Sequence, residues 1–353
     1  MRIAGICQWE NNSIEKARDI KQNAHLYDKF VVYGQMEFAT LKAMGLSDML
    51  AAARSQNKKL ICITGAASFT KELSYSEDIM FESYPTSYFT DIYCRFYGWD
   101  NHMSLYIQKL VDTFTHPFIT LNYRAHSHRC EFIDLVYKNK LFDRNIIVWH
   151  NQINNHSGWL AENTYNFKYW NPKQLILEDD FTKTTNHYYI PDEYFKCFAQ
   201  CVSESTEEAI IVSEKTVIPL FLRKPFLVAT VKGFHKFLQE LGFVLYDEIF
   251  DYSFDNIIDR TTRYDTMLQN FVKLNTLSLN ELTGLYNSIY DKLEHNRLRA
   301  IEIGKNYLYA SPTMLETINL QLLTNEPIDV YSYGLINRTL PVANQKYSML
   351  HSE

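Results

Sequence analysis

Ser213-Glu214-Lys215-Thr216 is a turn whose residue types suit the capture of phosphate and ribose. Free backbone N–H groups at a helix start carry partial positive charge, and the Lys215 ammonium adds a full one, enough to hold a diphosphate without a metal. The Glu214 carboxylate repels phosphate but accepts hydrogen bonds from sugar hydroxyls, as acidic residues do for ribose in other nucleotide sites. A second constellation lies in Thr120-Leu121-Asn122-Tyr123-Arg124-Ala125-His126-Ser127-His128-Arg129, between an apolar run and a helical one. Here Arg124 and Arg129 are candidates to clamp phosphate oxygens bidentately, with Asn122 or Ser127 capping the helix; an ordinary solvated helix start is the plainer alternative. His126 and His128 resemble half of a metal site, but no Asp, Glu or Cys completes it at the usual spacing. In Phe250-Asp251-Tyr252-Ser253-Phe254-Asp255, aromatics alternate with carboxylates, which reads first as a structural strand edge and second as a loop gripping a base or sugar.

These groups need elements to position them. Over the first hundred residues strand-like and helix-like runs alternate: Arg2–Cys7, a helix over Ile14–Phe30, Val31–Gly34, a helix over Leu41–Ser55, and Lys59–Gly65. Such alternation predicts a parallel sheet with helices on both faces. An aromatic, proline-containing passage from Phe81 to Trp99 and a helix over Met103–Phe114 follow. A second series begins at Pro117: strand Phe118–Leu121, helix His128–Lys140, strand Asn145–Trp149, strand Phe198–Val202, helix Val217–Leu222, strand Phe226–Ala229 and helix Phe234–Leu241. The expected fold class is therefore α/β with two Rossmann-like doubly wound domains. Both arginine and lysine turns fall at predicted strand ends, where ligands of open α/β sheets sit.

At 353 residues the chain exceeds the roughly 250–300 at which a single core stops growing. The division expected is 1–114, 115–310 and a tail, 311–353, returning to the first domain. A formal net charge of −6 gives no global field for nucleic acid, so any DNA contact would need a local basic rim. Six scattered cysteines without CxxC pairs, and an N-terminus that turns polar at once, fit a reducing cytoplasm. There is no GxGxxG after a strand, no GxxxxGK[ST] loop, no GxSxG elbow and no HExxH, which removes the usual support for NAD-dependent redox, P-loop hydrolysis, serine hydrolysis and zinc proteolysis.

The segment PFITLN-x-R-x-x-x-HR from Pro117 to Arg129, followed by IVSEKT and RKPFLVA, resembles the donor-binding half of family-ten fucosyltransferases and related phage proteins. The resemblance covers about Pro117 to Asp255, with Ser213 standing where that family usually has Thr. It implies a GT-B glycosyltransferase using a nucleotide-sugar donor, UDP- or GDP-linked, with no further cofactor and no metal. Carried over, Arg124 or Arg129 and Lys215 would neutralise the diphosphate, with Asn122, Ser213 and Thr216 beside them, and Glu214 would hold the ribose. An inverting transfer needs a base for the acceptor hydroxyl. The stretch from Ile61 to Glu82 is similar to the part of the family that carries this carboxylate, which makes Glu82 the first candidate, with Glu37 and Asp91 as rivals. Relatives among phage proteins imply DNA modification in a host cytoplasm, with a hydroxymethylated pyrimidine as acceptor. A glycan or lipid-linked saccharide acceptor, or a non-catalytic nucleotide- or glycan-binding module, is the alternative.

Overall fold

The structure is a computed structural model, and it describes residues 2–7, 12–34, 45–64, 78–83, 87–94, 96–97, 105–107, 113–152, 165–175, 190–207 and 209–305. These fall into two compact units. The first holds the described residues of 2–94, 209–213 and 302–305; the second holds those of 96–207 and 214–301.

In the first unit four parallel strands, β1 (Ile3–Cys7), β2 (Lys29–Gly34), β3 (Leu60–Thr64) and β4 (Ile79–Ser83), lie in sequence order. Helices α1 (Ser13–Gln22) and α2 (Leu46–Ser55) bury Ala17, Ile20, Met49, Ala52 and Ala53 in one cluster with Phe30, Val32, Leu60 and Cys62. The two helices meet at Gly45, where φ is +85° and an added Cβ would stand 2.6 Å from that of Ala17, so only glycine fits. The sequence alone overran α1. Its helical periodicity continues through a 3₁₀ turn at Ala24–Leu26, but the α-helix stops at Gln22, with Asn23 as C-cap. The strand Ile79–Ser83 is not among the expected elements, and its last three residues fall in the aromatic passage that begins at Phe81. A strand order without reversal also means that, among the described residues, helices on both faces are seen only for the other sheet.

In the second unit the order is β6-β5-β7-β8, all parallel, for β5 (His116–Arg124), β6 (Ile146–Gln152), β7 (Cys197–Ser203) and β8 (Phe226–Ala229). The chain leaves β5 toward β6 on one side, then restarts at β7 on the other, so the order reverses between β5 and β7. Right-handed crossovers then place the connecting helices on opposite faces, the doubly wound pattern. The helices after β5 and β7 are α4 (Ser127–Lys138) and α6 (Glu214–Phe221); α3 (Ser87–Cys94), which belongs to the first unit, and α5 (Asp192–Lys196) precede them in order. After β8 come α7 (Phe234–Glu240), α8 (Arg260–Thr276), α9 (Leu279–Ser288) and α10 (Tyr290–Lys305). Every residue of β7 and β8 is buried, as a strand covered on both faces requires, which explains the mostly apolar sequence CFAQCVS, whose Gln200 accepts from the Tyr194 hydroxyl, and the wholly apolar FLVA. Phe118 of β5 packs on Phe271 of α8 at 4.6 Å between ring centroids, so this helix covers one face of the sheet. Among the described residues, no helix is long and apolar enough to cross a membrane.

Candidate functional site

The point between β5 and β7 is where an open α/β sheet leaves a crevice outside its strand ends, because the chains on its two sides turn away in opposite directions. Asn122 and Arg124 end β5, and Ser203, Glu204 and Ser205 end β7 or follow it. The register pairing Phe118 with Ala199 and Ile119 with Gln200, continued in step, brings Asn122 level with Ser203. Both are 2% exposed, and Asn122 Oδ1 and Ser203 Oγ are buried without a hydrogen-bond partner. Asn122 does not cap α4 as expected: its Nδ2 donates to Thr120 Oγ1 (3.0 Å) and Val148 O (3.4 Å). The N-cap is His126, in extended backbone, with no side-chain cap bond.

The main-chain carbonyl of Glu204 is the centre of the arrangement. Arg129 donates to it from Nε (3.1 Å) and Nη2 (3.0 Å), and His128 from Nε2 (3.0 Å). A carbonyl only accepts, so Nε2 of His128 carries the hydrogen. The Glu204 side chain, 1% exposed, accepts from Ser205 N–H (2.8 Å) and from the Thr216 hydroxyl (2.7 Å). One residue therefore ties the end of β7 to the first turns of both α4 and α6. Sequence reasoning missed Glu204, whose signal was its position directly after an apolar strand; its carbonyl contacts had none.

Lys215 donates to Ser205 Oγ (3.1 Å) and pairs with Glu214 Oε1 (2.5 Å). Burial would raise the Glu214 carboxyl, but the Lys215 ammonium beside it and, more weakly, Arg129 outweigh that and hold it below the usual range. The ribose ligand expected at Glu214 thus sits in an ion pair. Thr216, fully buried, spends its hydroxyl on Glu204 in place of a ligand, and Ser213 is buried just ahead of the helix.

Arg124 is half-buried and makes no hydrogen bond or ion pair among the described residues. The His126 ring likewise makes no hydrogen bond among the described residues; it stacks on that of His128 with centroids 5.8 Å apart and planes 13° from parallel. Burial, then the charges of Arg129, Arg124 and Lys215, push the His126 imidazolium down to about 3. All three expected cations therefore act on this one imidazole. Burial, then Arg129, brings His128 to about 3 as well, against the pull of the Glu204 carbonyl, so both rings are neutral at ordinary pH.

Of the candidate bases, Glu82 lies in β4 opposite Ile63 in register, and Asp91 lies on α3; neither side chain is among the described ones, and Glu37 lies outside the described residues. In the other aromatic run, Asp255 accepts from the N–H groups of His235 (3.2 Å) and Lys236 (3.1 Å) and lies 3.0 Å from His235 Nδ1, so it secures the start of α7. The role is structural, but the run is no strand edge as its alternation suggests: Ser253–Asn256 form a 3₁₀ turn.

Fold and site together define an α/β protein whose second sheet reverses its strand order between β5 and β7, with Arg124, Arg129 and Lys215 in the turns and helix starts that follow those strands. Compared with family models, curated proteins and solved structures, the chain matches none of them.

Proposed function

We propose that the second unit binds the diphosphate of a nucleotide sugar and that the protein is a glycosyltransferase that moves this sugar to an acceptor hydroxyl. The observation that carries the reading is the Arg124 guanidinium at the end of β5, without a side-chain partner among the described residues, at the same switch point as Arg129 and Lys215 in the first turns of α4 and α6. As a glycosidic bond to diphosphate breaks, negative charge grows on the leaving oxygens, and cations already in place stabilise that charge more than they stabilise the ground state. The protein's own side chains supply this charge. Asn122 Oδ1 and Ser203 Oγ, each lacking a partner, offer polar contacts to the same ligand. The finer features belong to the same proposal: a GT-B arrangement, inverting chemistry, Glu82, Glu37 or Asp91 as base, and a modified pyrimidine in phage DNA or a glycan as acceptor.

A thermal-shift screen against UDP-, GDP-, ADP- and CMP-sugars tests it. A ligand at about 100 times its dissociation constant adds roughly 2.7 kcal/mol of stability. Stabilisation by one nucleotide class that is lost in Arg124→Ala supports the reading; no shift with any of the four ends it. Turnover lost in one of Glu82→Ala, Glu37→Ala or Asp91→Ala, with donor affinity kept, would separate an enzyme from a binding module.

A further inference from the structure

His126 occupies a place that the diphosphate reading leaves unexplained. Its imidazole makes no hydrogen bond among the described residues and lies in the turn between Arg124 at the end of β5 and Arg129 in the first turn of α4, stacked on the His128 ring, and it feels the charges of both arginines and of Lys215 from the first turn of α6. The other titratable groups near it are His128, stacked against its ring and bonded to the Glu204 carbonyl, and Glu214, paired with Lys215. Neutral imidazole adds one donor to a phosphate; imidazolium adds two donors and a charge. Resting on the diphosphate reading above, the geometry points to His126 as a proton-coupled ligand: the anion enters together with one proton from solvent, which is taken up on the imidazole and shared with a phosphate oxygen.

The sign follows from the charges. With the crevice empty, burial and three positive neighbours keep the ring unprotonated far below neutrality. A bound diphosphate offsets those neighbours and accepts the ring N–H, and both effects favour the imidazolium. Folded protein with ligand then holds more protons than folded protein without it, and linkage requires binding to tighten as pH falls. The limit is tenfold for each pH unit, between the ring's pKa values in the occupied and empty crevice.

Isothermal titration with UDP-glucose and GDP-fucose tests this, since each ligand's diphosphate diester keeps a constant charge over about pH 5.5–8.5, the window in which an ordinary histidine titrates. At pH near 7, heats measured in PIPES and in Tris give the number of protons exchanged. Uptake of about half to one proton per ligand, with affinity rising up to about tenfold per unit of acidification, is the expected result for the full chain. H126Q should still bind, with uptake near zero and a flat pH profile. Imidazole ¹⁵N shifts of labelled wild-type protein, with and without ligand, report the same proton without any variant. Binding with no proton uptake, or uptake unchanged in H126Q, overturns the role of His126 and leaves the diphosphate reading standing. Failure of both ligands, and of UDP and GDP alone, to bind at any pH overturns the diphosphate reading and this inference with it.

Discussion

Arg124 and Arg129 are both arginines of one turn, yet they answer differently to mutation. Arg129 is 4% exposed and holds the Glu204 carbonyl with two N–H groups, so Arg129→Ala leaves that carbonyl short of two donors and lowers stability by about 2 kcal/mol in urea denaturation. Arg124 gives up no side-chain partner among the described residues. Arg124→Ala is expected to leave the unfolding free energy within about 0.5 kcal/mol of the parent while weakening nucleotide-sugar binding at least about tenfold, as loss of a hydrogen bond between charged groups does. The histidines set the acid limb of stability. His128 titrates near 6.5 in an unfolded chain and near 3 when folded, so between those values the unfolded state holds the extra proton. Stability therefore falls as pH drops below about 6.5, by up to about 1.4 kcal/mol per unit for this histidine, and His128→Gln should flatten that slope in melts recorded from pH 7 to pH 4. Residue types alone announced the cations at this site. They did not announce that the buried Glu204 carbonyl and carboxylate organise them, because a main-chain oxygen has no sequence identity and burial depends on chain segments 75 positions apart.

Elements were legible where burial forces a simple pattern. The strands Cys197–Ser203 and Phe226–Ala229 are buried throughout and read as an apolar run interrupted by Gln200 and as an unbroken one, so the sequence places them within a residue or so. Ile79–Ser83 was not legible: five residues with Glu82 and Ser83 at one end carry neither continuous apolarity nor alternation. Helix ends depended on local chemistry. Ser278 and Glu281 form a reciprocal capping box at α9, and Ser278→Ala should cost about 1 kcal/mol, read as a fall in melting temperature. A larger effect is expected at Asp134 on α4, whose fully buried carboxylate accepts from Tyr165 Oη (2.8 Å) and from the N–H groups of Lys168 (2.8 Å), Tyr169 (3.0 Å) and Trp170 (2.8 Å). Asp134→Ala strands these donors at once. A loss of about 3 kcal/mol, with proteolytic cleavage appearing first near residues 165–170, is the expected outcome.

At the scale of the whole molecule, 353 residues resolve into two units, and the reversal of strand order that makes a crevice belongs to the second. Calorimetry should accordingly show nucleotide sugars raising the transition of the unit that contains Trp149 and Trp170, with the other transition unmoved; a uniform upward shift of all melting would contradict a site confined to that sheet. The reversal was implicit in the sequence only as an alternation of runs, since parallel strands spell the same pattern whichever side they join. It also sets a schedule for biosynthesis. The carbonyl that Arg129 grips is encoded 75 codons later, and Lys215 eleven codons beyond that, so a ribosome must translate well past β7 before the crevice exists. A nascent chain arrested before Lys215 lacks that lysine together with β8 and α8, whose Phe271 packs on Phe118, so under the diphosphate proposal it should retain no nucleotide sugar.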